Sequence, residues 1–185
     1  DLSAPDSGIG QAYARGLEHC QGDYVCMLAA DERLEHDALE TAIQWCRKRP
    51  DAVFVNGSVR LVDAHGATEQ IFPSPHFNLL DHLTCEVVLA FAGLLNRRLL
   101  GADLWYDATL KTCPDYDFWI RVGQRFSASQ FVVFDAVFKT ALADRNSMSF
   151  RIESYEQFCR DKQLVLDRFI ATQPPSPLRE AVSLA

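Results

Sequence analysis

The sequence has no stretch of eighteen apolar residues, and its best apolar run, Val87–Leu95, is too short to span a bilayer. It shows no signal-peptide pattern. It also lacks a basic excess. Eighteen Lys+Arg stand against twenty-five Asp+Glu, a net charge of −7. That argues against a nucleic-acid binder working by bulk charge, though a local basic pocket for a phosphate stays open. None of the six cysteines, at 20, 26, 46, 85, 113 and 159, forms a C-x-x-C pair, and no Cys/His cluster has zinc spacing. Reduced thiols, mostly in the core of a cytosolic protein, are therefore expected. Internal repeats and low-complexity segments are absent. What is present is 185 residues, 48% hydrophobic and 23% charged. That is enough for one domain and barely enough for two, with disorder and collagen-like repetition excluded.

Local patterns assign the elements. Residues 1–8 carry Ser3, Pro5, Asp6, Ser7 and Gly8 and read as a loop. Ile9–His19 is helical, with Ala12, Tyr13, Leu17 and Cys20 roughly on one side, and Gly22 stops it. Asp23–Ala29 reads as a short buried strand of a parallel sheet. A helix follows over His36–Arg49, ended by Pro50, and a buried strand over Ala52–Asn56 that Val59–Asp63 could continue. Asp63–Gly66 is a turn, Ile71–Asn78 a loop, and Leu79–Leu83 a helical turn. Phe91–Asn96 is a strand, Arg97–Leu100 a short helix, Asp115–Phe126 an amphipathic helix and Gln130–Phe138 a strand. A polar turn at Asp144–Ser149 leads to a long helix over Ser154–Ile170 and a proline-rich, loose tail. Helix and strand alternate through the first sixty residues, which predicts βα units around a mostly parallel sheet.

Four clusters could carry chemistry. Asp31-Glu32 follows a strand, where an α/β sheet binds ligands, and a carboxylate there could hold a hard divalent cation together with substrate phosphates. The same pair could simply start the next helix, where the dipole favours anions. Asp115 and Asp117 open an amphipathic helix; each could cap it, or one could be a general base. Pro5-Asp6-Ser7-Gly8 with Arg15 could approach and pair a phosphate. Asp144–Ser149 is either a fourth site or a plain polar turn.

Taken in order, these pieces resemble the family 2 glycosyltransferases. LSAPDSGIGQAYARGL is similar to the family pattern S-E-P-D-S-G-I-x-x-A-x-N-K-G-I. GDYVCMLAADERLEHDALE is similar to G-D-x-x-x-x-L-N-S-D-D-x-L-x-x-x-A-L-E, and RPDAVFVNGSVRLVDAHG to P-D-x-D-V-V-Y-G-D-x-x-L-V-D-x-x-G. FAGLLNRRLL and YDATLKTCPDYDFWIRVGQR are similar to F-F-R-R-x-x-L and F-D-x-x-L-x-x-x-x-D-Y-D-L-W-L-R. The resemblance spans roughly residues 2–125 and loosens in the last sixty residues.

That resemblance implies an α/β GT-A fold, a mostly parallel sheet flanked by helices. It implies transfer of a sugar from a nucleotide-diphosphate donor to an acceptor hydroxyl, with inversion and with Mn²⁺ or Mg²⁺ as cofactor. Acceptors would be a glycan, a lipid carrier or a protein, as in bacterial cell-surface polysaccharide biosynthesis. By position, Asp115 falls on the catalytic base. Asp31 falls on the metal-linked acid pair, with Glu32 in place of its second Asp. Asp144 falls where the family often has a metal-binding His. Asp6, Gly8, Arg15 and Asp31 would line the donor. Ala14, Ala29, Ala30, Pro114 and Asp144 depart from the family's residues and motivate an alternative, a non-catalytic GT-A-like module binding a glycan or a protein. The family's opening βα units have no counterpart, and the chain starts at Asp1, so an N-terminally truncated fragment is expected. Residues 1–150 would be a partial GT-A domain and 151–185 a C-terminal helical extension and tail. The expected location is cytoplasmic, with peripheral membrane association left open.

Overall fold

The computed structural model describes residues 6, 8–84, 91–143, 152–177, 179 and 182. The polar turn read at Asp144–Ser149, and with it Asp144 and Cys85, lies outside them. Helix α1 (Ile9–Glu18) leads to the short strand β1 (Tyr24–Cys26). Then come β2 (Glu32–Leu34), α2 (Ala38–Lys48), β3 (Phe54–Val62) and β4 (Thr68–Phe72). Next are α3 (Leu79–Leu83), β5 (Gly93–Asn96), α4 (Arg97–Leu100), α5 (Pro114–Arg125), β6 (Phe131–Leu142) and α6 (Ile152–Thr172).

The sheet runs β1-β5-β3-β6-β2, with β4 paired to β3. Here the expectation of a mostly parallel sheet is corrected. Among the described ladders only β3 with β6 is parallel; β1 with β5, β3 with β5, β3 with β4 and β2 with β6 are antiparallel. The helical crossover from β1 to β3 leaves a slot between them, and β5 enters it from far along the chain, running the opposite way. The strand read over Asp23–Ala29 shrinks to three residues at the end of the order. Neither β2 nor β4 was expected. β2 starts at Glu32, so the acid pair does not open a helix, and α2 begins only at Ala38.

Side chains alternate across the sheet, as the period of two requires. Phe54, Leu95 and Phe131 face one core with Phe91, Phe118, Trp119 and Val122. Val55, Leu94 and Val132 face the other, under Ala38, Ala42 and Cys46 of α2, which repeat at four-residue spacing. Helix α5 is buried on two sides. Phe118, Trp119 and Val122 meet the sheet, while Tyr116 and Ile120 meet Val165, Leu166 and Phe169 of α6. Trp119 is fully buried, stacked on Phe91 at 4.8 Å. Truncating it to Ala is expected to cost about 3–5 kcal/mol. The tail is not wholly loose, because Val182 is buried in the α5–α6 core. The five cysteines among the described residues are free thiols. No described helix is long and apolar enough to cross a membrane.

Candidate functional site

Asp31 stands immediately before β2, where its carbonyl accepts from the Leu142 N–H at 3.3 Å and its side chain is exposed. Glu32 is one residue into the ladder, opposite Ala141. Its carboxylate is largely buried and occupied on both oxygens. One meets the Lys139 ammonium at 2.6 Å, and the other accepts the Ala29 N–H at 2.8 Å. Lys139 is itself only 5% exposed. A buried ammonium needs such a partner, because desolvation of either ion alone is costly. Glu32 thus fixes the turn that carries Asp31.

The start of α1 is built by Asp6 and Gly8. Asp6 Oδ1 accepts the Gly8 N–H at 3.1 Å, and Gly8 takes a φ of 148°, a value that favours glycine. Tyr13 then projects from α1 into the core cluster, half-buried, 5.1 Å from the Tyr106 ring. Arg15 is also half-buried, but lies two residues on, about 200° around the helix from Tyr13.

Asp115 is the second residue of α5, after Pro114, whose missing N–H costs nothing at a first helical position. It is half-buried, and Oδ1 accepts the Tyr116 N–H at 3.0 Å. Burial raises its carboxyl above the ordinary value, against the lowering effect of that hydrogen bond. Asp117 is different. It is paired with Arg121 at 2.8 Å, and that guanidinium also lies 3.8 Å over Trp105. Asp117 is committed to holding α5 to the preceding loop. Neither acid is the N-cap; that position is Cys113, with no side-chain cap.

Both acidic loci lie within electrostatic reach of Tyr13. Its phenol is pushed up to about 12, first by burial and then by the carboxylates of Asp115, Glu32 and Asp31. One side chain thus feels acids from two loci that are far apart in sequence. Pattern reading placed Tyr13 on the apolar stripe of α1 and assigned it no other role. The available signal was a hydroxyl on an otherwise apolar face. Tyr106 was not singled out at all; burial, then the Asp115 and Tyr13 charges, raise its phenol well above the usual value, against Arg121.

The loop before α5 is held from behind by α6. Asp161, 5% exposed, accepts the Lys111 N–H at 2.9 Å, the Thr112 N–H at 3.0 Å and the Thr112 hydroxyl at 2.9 Å. Its second oxygen accepts from Gln157 at 2.7 Å. Arg168 pairs with Asp107 at 2.7 Å. These bonds set where α5 begins, and so where Asp115 stands.

Among the described residues, no group of three His, Cys, Asp or Glu could hold a metal ion. With Glu32 engaged by Lys139, Asp31 offers the exposed carboxylate. One carboxylate does not cage a cation. It does fit Mg²⁺ or Mn²⁺ held chiefly by diphosphate oxygens and water, the common arrangement for the former.

An exposed acid just before a sheet strand and a half-buried acid at a helix start are the residues of this site that could act on a phosphate-bearing ligand. Residues 3–93, just under half of the chain, match the family model described as Glycosyl transferase family 2, and that segment is a glycosyltransferase family 2 sequence. Asp31 lies within the matched segment and Asp115 beyond it. Among curated proteins none matches in sequence. Of solved structures, S. aureus TarS 1-349 is similar with a TM-score of 0.65 at 15% identity, covering 95% of this chain and 49% of that one. TarS 1-349 in complex with UDP-GlcNAc gives 0.65 at 15%, covering 98% and 52%. The complex with UDP gives 0.64 at 14%, covering 95% and 49%. The chain thus spans about half the length of these structures. The likeness shows a GT-A-like fold.

Proposed function

We propose that the chain carries the reacting half of an inverting transferase that moves a sugar from a nucleoside-diphosphate donor to an acceptor hydroxyl. The observation that carries this reading is the pair of uncommitted acids, Asp31 exposed beside the turn that the Glu32–Lys139 ion pair fixes and Asp115 half-buried at the start of α5. In the reaction, the acceptor oxygen forms a bond to the anomeric carbon as the bond to the diphosphate breaks. Asp115 takes the acceptor's proton, and the electron pair leaves with the diphosphate. A raised carboxyl suits that task, since a base with a higher pKa accepts the proton more readily. Asp31 would contribute one oxygen to a Mg²⁺ or Mn²⁺ whose chemistry is to offset charge on the leaving diphosphate. Asp144 is kept as a candidate further ligand, and Asp6, Gly8 and Arg15 as candidate donor contacts. The TarS complex with UDP-GlcNAc makes a UDP-linked sugar the first donor to try.

Two variants in the full chain test the reading, with UDP-GlcNAc as donor. Asp31→Ala should abolish the Mn²⁺-dependent part of UDP binding measured by calorimetry; unchanged affinity would remove the metal role. Asp115→Asn should keep UDP binding but lower turnover by about 10²–10⁴-fold. Loss of binding instead would make Asp115 structural. The engagement of Glu32 by Lys139 favours the second reading, a non-catalytic module for a glycan or protein. It predicts no metal-dependent UDP binding in the unaltered chain.

A further inference from the structure

Tyr106 is 3% exposed, and its hydroxyl has no hydrogen-bond partner among the described residues. That is an unusual expense for a side chain that phenylalanine could replace, because a buried donor and acceptor gives up its bonds to water. The ring is fixed on two sides. It stacks on Phe118 at 5.0 Å and leans on Tyr13 at 5.1 Å. Phe118 lies three residues after Asp115 on α5, so the two share one face of the helix. The Tyr106 ring is therefore stacked against the face of α5 that carries Asp115.

We propose that the Tyr106 hydroxyl is a binding contact for a hydroxyl-bearing acceptor, meeting one acceptor oxygen while Asp115 meets the reacting one. This rests on the reading of Asp115 as the base that faces the acceptor. A neutral phenol can donate to one oxygen and accept from another, so it suits an acceptor with neighbouring hydroxyls, a sugar or a polyol, better than a lone alcohol. The orphaned hydroxyl is satisfied when such a group enters. Site polarity of this kind selects strongly, because a ligand lacking the hydroxyl leaves the phenol unpaired. Tyr13 forms the adjoining half-buried wall, an aromatic surface on which an acceptor ring can rest.

The test uses the full chain with ¹³C-labelled tyrosine rings, titrated with glycerol as the probe polyol. The Tyr106 signal is assigned by its loss in Tyr106→Phe. The expected result is a saturable shift of that signal, with an apparent affinity weakened at least threefold in Asp115→Asn. Tyr106→Phe should unfold at the same or a higher denaturant concentration than the unaltered chain. A shift that is absent, or linear with glycerol, overturns the proposal and leaves Asp115 to be judged by its own turnover variant. A lower unfolding midpoint for Tyr106→Phe also overturns it, since the hydroxyl would then have a structural partner. A saturable shift untouched by Asp115→Asn keeps the Tyr106 contact but removes Asp115 as the group beside it.

Discussion

Two glycines of α1 give a prediction of opposite signs within one helix. A Cβ added at Gly10 would lie 2.5 Å from the Leu110 carbonyl oxygen and 2.7 Å from that of Asp107. Ordinary contact begins at 3.4 Å, so about 0.9 Å of clearance must be found. Both obstacles are backbone, in the loop that Asp161 and Arg168 hold to α6. Overpacking of this kind costs about 1–3 kcal/mol. Alanine's helix preference returns at most about 1 kcal/mol. Gly10→Ala should therefore destabilise by about 1–2 kcal/mol. At Gly16 a Cβ meets nothing within 4 Å. There only the helix preference acts, and Gly16→Ala should stabilise by about 0.5–1 kcal/mol. Urea unfolding measures both, and the pair should be separated by about 4–8 °C in thermal midpoint. Gly10→Ala should also slow turnover, because the displaced loop leads directly to Asp115. If both variants shift stability in the same direction, the tight seat of α1 against the 107–111 loop is wrong.

Asp115 links activity to pH. Its carboxyl is raised by burial, so kcat/KM should fall on the acid side at a pH above the ordinary carboxylate range. The stability sign follows from the same shift. A raised folded-state value contributes stability that is present below the unfolded value and lost as pH rises through the folded one. Asp115→Asn should therefore raise the melting temperature at pH 7 and lose that advantage in acid; an equal melting temperature at pH 7 would count against a desolvated carboxylate. Lys139→Met should cost about 3–5 kcal/mol by stranding the Glu32 charge, and adding Glu32→Gln should recover most of it. A double-mutant cycle in urea checks this. Asp161→Ala should speed hydrogen exchange at the Lys111 and Thr112 amides while leaving β3 unchanged.

The helices were legible because they bury one stripe. Ala42 and Cys46 in α2, and Phe118, Trp119 and Val122 in α5, repeat at helical spacing. The strands β3, β5 and β6 were legible as apolar runs. β4 was not, because all five of its residues are exposed and carry no buried alternation. β2 is three residues long and exists through its pairing with the far end of β6, a partner that no local window contains. The direction of the sheet was missed for the same reason, since β5 reaches its slot from a distant part of the chain. At the site, Asp31 and Asp115 stood out because each follows or opens a recognisable element. The partner of Glu32 did not, as Lys139 reads as an ordinary polar residue in a strand. Tyr13 and Tyr106 were hidden by their rings, which pack as apolar groups although both phenols feel the charge of Asp115.

The Asp161 contacts also bear on the order in which the protein can assemble. They join residues fifty positions apart, closing a long loop over α5 and β6. Closure of that size must lose chain entropy before the contacts return any stability. During synthesis the acids at 31 and 115 leave the ribosome before α6 does. The loop that leads to Asp115 gains its Asp161 and Arg168 contacts only once α6 has docked. Competence of the site is thus scheduled late, and a chain stopped before α6 would contain Asp31, Tyr13 and Asp115 without the clamp that sets the start of α5.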